Sequence, residues 1–244
     1  MPSSNSNDFS CGGSVLGTAS DERLQLAAMV KYFTREEIAT HCSVDDCWVS
    51  VFDRVYDLSP LLQEDRGALA LPIIEAAGSS ISHWFNEKTG TYKTFMDPKR
   101  NIEMPYTPQG RFLHVPPPQP SDTDVVTADL PWWKDPRYII GCLTKKTRPV
   151  RIVNMLTQCE DVVNACSEET INDIRDRYLQ YNAHAKSYTW KALVHNDFAA
   201  LTMTQTLEEN GIPDESEKFF NLGMDDDFNV PSLHIYYNDD LTIA

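Results

Sequence analysis

Three histidines in the first half of the chain are the side chains best suited to bind a metal. His41 ends a predicted helix, His83 lies in a second predicted helix, and His114 lies in a short apolar island. Neutral imidazole is the commonest metal ligand, but a lone histidine is more often a hydrogen-bonded structural residue. Both interpretations stay open for His83 and His114, which are the candidate ligands.

Motifs of catalysis are missing from the rest of the sequence. The chain contains no GxGxxG or P-loop sequence, no HExxH and no GxSxG. The acidic runs 225–227 and 239–240 do not have the spacing of an EF-hand loop, and they are typical of solvated turns. We therefore predict that the protein is not an enzyme.

The cysteines form no CxxC pair. They are Cys11, Cys42, Cys47, Cys142, Cys159 and Cys166. Residues 1–10 are polar and have no features of a secretory signal, so a reducing compartment is expected. Ordinary thiols are the prediction, and a redox role stays open for Cys42 or Cys47.

The overall charge excludes two classes of partner. The 244 residues carry a net charge of −15, from 36 acids against 21 bases. Nucleic acids and anionic membrane surfaces both attract clustered Lys and Arg, so neither is a predicted partner. No apolar run approaches ~18 residues, so no transmembrane helix is expected.

The order of helix and strand signals predicts an α+β protein with four parts. Residues 1–30 form a polar tail with a short helix after Ser20, and residues 31–97 form a compact domain. Residues 98–147 are rich in proline, which fixes φ and removes backbone donors, so they predict an extended connector. The island at 110–115 is a candidate to pack back on the first domain. Residues 148–244 form the last domain.

Local signals predict the elements of both domains. In the first, we expect a helix over 35–41 after a capping box, strands over 48–52 and 55–58, a helix from Ser59-Pro60, and another from Ser79 or Ser80 that carries Ile81, Trp84 and Phe85. In the second, the expected strands are 150–156, 160–166, 187–191, 201–204 and 232–237, with a helix after 167–169.

The first domain resembles cytochrome b5. Trp48 is followed after six residues by the Val-Tyr-Asp-Leu-Ser run 55–59, as in that family's central strands. The segment 32–41 is similar to the family's entry helix, and Ala77-Gly78 to its mid-domain pair. Phe85 falls where the family has an aromatic residue. The resemblance implies a cytochrome b5-like fold around haem b.

The last domain resembles the ubiquitin-like β-grasp fold. Thr206-Leu207 precedes Ile212 at the interval found in ubiquitin, and the Ser-Leu-His-Ile run 232–235 is similar to its last strand. The sequence ends Leu-Thr-Ile-Ala without a di-glycine, so a conjugated modifier is not expected.

A family of motile-cilium proteins combines these two domains, and the chain resembles it over about 32–243. The resemblance implies a structural or interaction component of the axoneme that associates with radial spokes and supports ciliary beating. The implied partners are axonemal proteins, specifically radial spoke stalk or base subunits. The implied location is the cytoplasm, its cytoskeleton and the cilium or flagellum.

Both usual haem ligands of cytochrome b5 are replaced. The His-Pro-Gly-Gly turn aligns with 65–68, where the first residue is Asp65, and the second ligand's segment aligns with 86–90, which has no histidine. The alternative function, a haem-binding redox sensor or electron-transfer protein, therefore requires relocated ligands. The candidates for haem iron are His83 and His114, and more weakly Tyr92 and Tyr106; no other metal is expected.

Overall fold

The computed structural model describes residues 31–64, 67–117, 130–194, 196–225, 228 and 230–237. Lys31–Ala244 is one compact unit. The helix predicted after Ser20 lies outside the described residues. Within the described ranges, no helix is long and apolar enough to cross a membrane.

A four-stranded sheet organises residues 31–143, which we call the N-terminal module. Its strands, in spatial order, are β1 (Tyr32–Phe33), β8 (Ile139–Leu143), β3 (Arg54–Asp57) and β2 (Trp48–Val51). The β2–β3 hairpin confirms the two strands predicted for this region, and its turn uses Phe52 at φ 53°. Strand β8 pairs in parallel with β1 and antiparallel with β3. The predicted connector thus contributes a strand between two strands from the start of the module.

Short helices pack around this sheet. They are α1 (Arg35–Thr40), α2 (Ser59–Glu64) and α3 (Leu71–Glu75). The capping box before α1 is formed: the Glu37 N–H donates to Thr34 Oγ1 at 3.2 Å, and the Thr34 N–H donates to Glu37 Oε2 at 2.8 Å. The helices predicted near residues 35 and 59 are therefore confirmed.

The helix predicted from Ser79 or Ser80 is wrong. Only Ser82–Trp84 forms a 3-10 turn, and the chain is extended by Phe85. Phe85 pairs with Tyr92 instead of continuing a helix, because the chain returns through a short hairpin. Two such hairpins lie within residues 85–105: β4 (Phe85–Asn86) with β5 (Thr91–Tyr92), and β6 (Thr94–Met96) with β7 (Glu103–Pro105).

Aromatic side chains from distant segments fill the core of the N-terminal module. Trp84 and Phe85 pack with Phe112, whose ring centroid lies 5.0 Å from that of Trp84. Trp132 and Trp133 are buried in the same cluster. Phe112, Trp132 and Trp133 all belong to the Pro-rich segment 98–147, so this segment contributes to the core.

A mixed five-stranded sheet organises residues 147–237, which we call the C-terminal module. Its strands, in spatial order, are β10 (Cys159–Cys166), β9 (Thr147–Asn154), β13 (Ser232–Tyr237), β11 (Tyr188–Val194) and β12 (Asp197–Ala200). The central β9–β13 pair is parallel, and the other neighbours are antiparallel. Helix α4 (Ile171–Tyr178) buries Ile171, Ile174 and Tyr178 against one face, and α5 (Ser216–Asn221) follows later in the chain.

The strand predicted over 201–204 is displaced in the structure. Strand β12 ends at Ala200, and the Thr202 N–H donates to Asn210 Oδ1 at 2.8 Å. That side chain takes the backbone donor that a continued strand would use, so the chain turns away from the sheet. The other four strands and the helix predicted for this module are confirmed within a few residues.

One arginine joins the two modules. Arg177 of α4 donates to both carboxylate oxygens of Glu169 at 2.8 Å. Its other nitrogens donate to the Tyr32 carbonyl at 3.1 Å and to the Glu37 carboxylate in the N-terminal module. The side chain is largely buried, so this contact holds β1 and α1 against α4.

Candidate functional site

His83 is placed at the surface of the N-terminal module. It lies in the 3-10 turn before Phe85, and its side chain is exposed. Its ring meets the edge of the Trp84 ring with centroids 6.0 Å apart. Its imidazole therefore stands at the surface and is not among the core residues of the module.

His114 uses the lone pair of one ring nitrogen to fix the backbone. Nδ1 accepts a hydrogen bond from the Trp132 N–H at 3.0 Å. A neutral imidazole whose Nδ1 is an acceptor carries its proton on Nε2. Neither nitrogen then offers a free lone pair to iron, so His114 serves here to connect two segments of the core.

The remaining candidates are also occupied by local contacts. His41 stacks on Trp48 with ring centroids 3.6 Å apart and bonds Asp46 through Nδ1 at 2.7 Å. Burial, followed by the charge of Glu103, raises the pKa of Tyr92, which disfavours the tyrosinate that would bind iron. Tyr106 is exposed, and its ring packs edge-on against Phe95 at 6.2 Å.

These side chains do not fit a bis-histidine haem site. Such a site needs two imidazoles with free lone pairs on opposite faces of the macrocycle. The core of the described N-terminal module instead offers two indole N–H groups, those of Trp132 and Trp133, which are buried without a hydrogen-bond partner among the described residues. Both are donors and cannot ligate iron. Within the described ranges there is also no cluster of three His, Cys, Asp or Glu side chains suited to a metal ion.

A haem titration tests this conclusion. We expect the purified protein, His83→Ala and His114→Ala to give the same broad Soret absorption after haem is added. The reason is that the Nδ1 lone pair of His114 is engaged and His83 stands in solvent. A sharp Soret band that shifts on reduction and weakens in one variant would contradict this conclusion and identify a relocated ligand.

A recess lies in the C-terminal module. It has a volume of about 660 Å³ and opens between α5 and the sheet face opposite α4. Its apolar lining includes Leu193, Phe198, Ile212, Phe220 and Val230. Phe198 and Phe220 are 52% and 70% exposed, so large apolar surfaces face solvent here. We call this recess the apolar groove.

Charged residues fix one wall of the apolar groove. Arg148 is buried, and its guanidinium donates to the Pro213 carbonyl at 3.0 Å and to the Ile212 carbonyl at 3.3 Å. Lys146 pairs with Asp214 at 2.6 Å. Burial opposes ionisation of Asp214, but hydrogen bonds from Lys146 and Ser216 prevail and lower its pKa to about 2. The loop before α5 is therefore held to the start of β9.

His234 lies on the floor of the apolar groove. Its ring meets Phe198 edge-on with centroids 4.9 Å apart. Its Nδ1 is buried and has no hydrogen-bond partner among the described residues. This groove was not predicted from the sequence. The signal in the sequence was the alternation of side chains between the two faces of each strand. Leu193 faces away from the core residue Ala192, and His234 faces away from the core residue Leu233.

Comparison with known proteins agrees with the architecture of the N-terminal module. The family model described as cytochrome b5-like Heme/Steroid binding domain matches residues 34–98. A soluble cytochrome b558 of Ectothiorhodospira shaposhnikovii is 32% identical over 63 residues, which are 26% of this chain and 69% of that protein. The N-terminal module therefore contains a cytochrome b5-like domain.

Longer matches define the family. Cytochrome b5 domain-containing protein 1 of Xenopus laevis is 51% identical over 213 residues, which are 87% of this chain and 96% of that protein. The protein of that name from Homo sapiens is 46% identical over 213 residues, which are 87% of this chain and 92% of the human protein. The chain belongs to the cytochrome b5 domain-containing protein 1 family.

Proposed function

We propose that the protein is a non-catalytic interaction component of the motile-cilium axoneme that associates with radial spokes and supports ciliary beating. The ciliary assignment is supported by the family resemblance, which covers 87% of the chain. The observation that carries the interaction role is the apolar groove, because an exposed apolar recess of this kind marks a binding surface. The partner we propose is a radial spoke stalk or base subunit.

The C-terminal module supports this role by its architecture. We propose that it is a ubiquitin-like β-grasp domain. The observed strand order, with the first and last strands of the module parallel at its centre and α4 across one face, supports this assignment. Helix α4 covers one face, and the apolar groove opens on the other.

Charge complementarity suggests what kind of segment binds. Glu215 and Glu217 border the apolar groove together with Asp214, whose charge is balanced by Lys146, and the whole chain carries a net charge of −15. An amphipathic partner segment with apolar anchors and Lys or Arg at its edges complements this surface. Buried anchors provide most of the affinity in such contacts, and rim charges increase the association rate.

The test is retention of a groove variant in the axoneme. Phe198→Ser removes a 52% exposed aromatic side chain from the groove wall, so it should leave the fold intact. We expect it to lose co-purification with radial spoke proteins from salt-washed axonemes and to fail to restore normal beating in deficient cells. A loss of binding of at least about 10-fold is expected when one apolar anchor is removed.

Leu156→Ser is the matched control. Leu156 is 69% exposed in the turn between β9 and β10 and does not line the apolar groove. It should bind and restore beating as the unmodified protein does. Full retention of Phe198→Ser in the axoneme would rule out the groove as the docking surface, and absence of the unmodified protein from axonemes would overturn the ciliary role. The haem titration described above tests the alternative function, haem binding.

A further inference from the structure

A tight hairpin holds two cysteines opposite each other at the edge of the N-terminal module. Ser43 and Asp46 exchange backbone hydrogen bonds at 3.1 and 3.3 Å, which closes a two-residue turn. The Trp48 N–H donates to the His41 carbonyl at 3.1 Å. Between these two positions, Cys42 and Cys47 form an antiparallel bridge.

The hydrogen bonds on either side make this a non-hydrogen-bonded pair. Residues of such a pair have Cα atoms about 4.5 Å apart and the closest side chains in an antiparallel ladder. A disulfide needs Cα atoms roughly 4.4 to 6.8 Å apart. The two cysteines therefore meet the backbone requirement for a disulfide without rearrangement.

The aromatic stack in the next register position supports the same geometry. The rings of His41 and Trp48 lie 3.6 Å apart and nearly parallel, at 13°. Side chains of directly opposed residues are thus in contact across this hairpin. Successive residues of a strand point to opposite faces, so Cys42 and Cys47 face each other on the side away from this stack.

The two thiols have different environments. Cys42 is exposed, whereas Cys47 is fully buried beside Val49 and Leu58 in the core. Burial, followed by the charges of Asp57 and Asp46, raises the pKa of Cys47 to about 12. An exposed thiol is accessible to a reagent, and a buried thiol beside it is reached only through its neighbour.

We propose that Cys42 and Cys47 are a dithiol site that a low-molecular-weight disulfide oxidises to an intramolecular disulfide. The Cys42 thiolate attacks one sulfur of the reagent, forms a mixed disulfide and releases one reagent thiol. Cys47 then attacks the Cys42 sulfur, and its proton passes to the departing sulfur, which leaves as the second reagent thiol. Two protein thiols are oxidised, and one reagent disulfide is reduced to two thiols.

Peptide mapping of the full-length protein tests the site. The reagent is 2-hydroxyethyl disulfide, which is uncharged, because Asp45 and Asp46 would repel an anionic disulfide. Trypsin cuts after Arg35 and Arg54, so both cysteines fall in the single peptide 36–54. After oxidation and alkylation under denaturing conditions, we expect this peptide unalkylated and lighter by two hydrogen atoms, and fully alkylated once a reductant is added first.

Single-cysteine variants identify the order of attack. Cys42→Ser should leave Cys47 unmodified, because that thiol is buried, and Cys47→Ala should keep the reagent adduct on Cys42. Circular dichroism verifies that both variants fold. Exposed Cys159, which lies opposite Asn154 in its hairpin, is the internal control and should keep an adduct in every protein.

Two results would overturn the proposal. In one, Cys42 of the unmodified protein keeps the adduct while Cys47 is alkylated after unfolding, so the thiols do not meet. In the other, both cysteines are alkylated although Cys159 has reacted. Both results are measured on the unmodified protein, so neither depends on whether a variant folds.

Discussion

Replacing Arg177 with methionine is expected to lower the free energy of unfolding by about 3 to 5 kcal/mol, because it removes one partner of a buried ion pair. Glu169 is only 4% exposed at its side chain, so its carboxylate would stay buried without its counter-ion. The same substitution removes the donors to the Glu37 carboxylate and the Tyr32 carbonyl. Most of the loss therefore comes from groups left without their partner.

Charge on Arg177 is secured by these contacts. Burial alone would lower its pKa, but the hydrogen bonds and charges of Glu169 and Glu37 outweigh burial and raise it. The guanidinium is thus ionised at every pH at which the protein is folded. The positive charge of Arg177 is therefore kept near neutrality, where the side chain connects the two modules.

Urea unfolding of three variants separates the ionic contribution from packing. Arg175→Met is the matched control on the same helix, since Arg175 pairs with Asp176, which is 53% exposed. Exposed pairs contribute about 0 to 1 kcal/mol, so this control should unfold nearly as the unmodified protein does. Adding Glu169→Gln to Arg177→Met should recover part of the loss, because it removes the stranded charge. Equal losses for Arg175→Met and Arg177→Met would show that the connection is not buried.

The Arg177 contact could not be predicted from the sequence. Local rules identify α4 through its capping residue and its apolar positions Ile171, Ile174 and Tyr178. They do not indicate which polar residue of α4 contacts Glu37, 140 positions earlier in the chain, because that depends on how the modules pack. Arg175 and Arg177 are both basic residues in the last turn of this helix, and only tertiary structure distinguishes them.

The proline content of residues 98–147 predicted only part of the structure of this segment. Pro131 and Pro136 border the buried tryptophan pair at a turn and at the first position of a 3-10 helix, where a missing backbone donor costs little. Strand β8 follows directly and contains no proline. Proline is thus compatible with chain that enters a core, provided that it lies at the ends of elements.

The sequence showed that the usual haem ligands are replaced, but it did not show whether other residues take their place. Alignment with cytochrome b5 identified the absence of histidine from 65–68 and 86–90. Whether His114 replaced those ligands depended on its hydrogen bond with Trp132, which joins segments separated by 18 residues. The polarity of that bond, with Nδ1 as acceptor, is a tertiary property that no local pattern carries.

Trp132→Ala should have an effect of similar size to Arg177→Met in a different part of the molecule. Trp132 is fully buried, and its ring lies 5.6 Å from Tyr56, 5.8 Å from Phe85 and 5.5 Å from Trp133 between centroids. Truncation of a buried tryptophan leaves a cavity among these rings, which costs about 3 to 5 kcal/mol. We expect this loss in the free energy of unfolding, measured with urea.

Two controls show which property of Trp132 matters. Trp132→Phe keeps an aromatic ring and removes an indole N–H that has no partner among the described residues, so its loss should be markedly smaller. Leu130→Ala changes a 61% exposed side chain two residues away and should stay within about 0.5 kcal/mol of the unmodified protein. If Trp132→Ala were as mild as Leu130→Ala, the segment would be an extended connector as its prolines predict. A large loss for Trp132→Ala alone means that the cytochrome b5-like domain needs chain far beyond its family-matched residues 34–98 to complete its core.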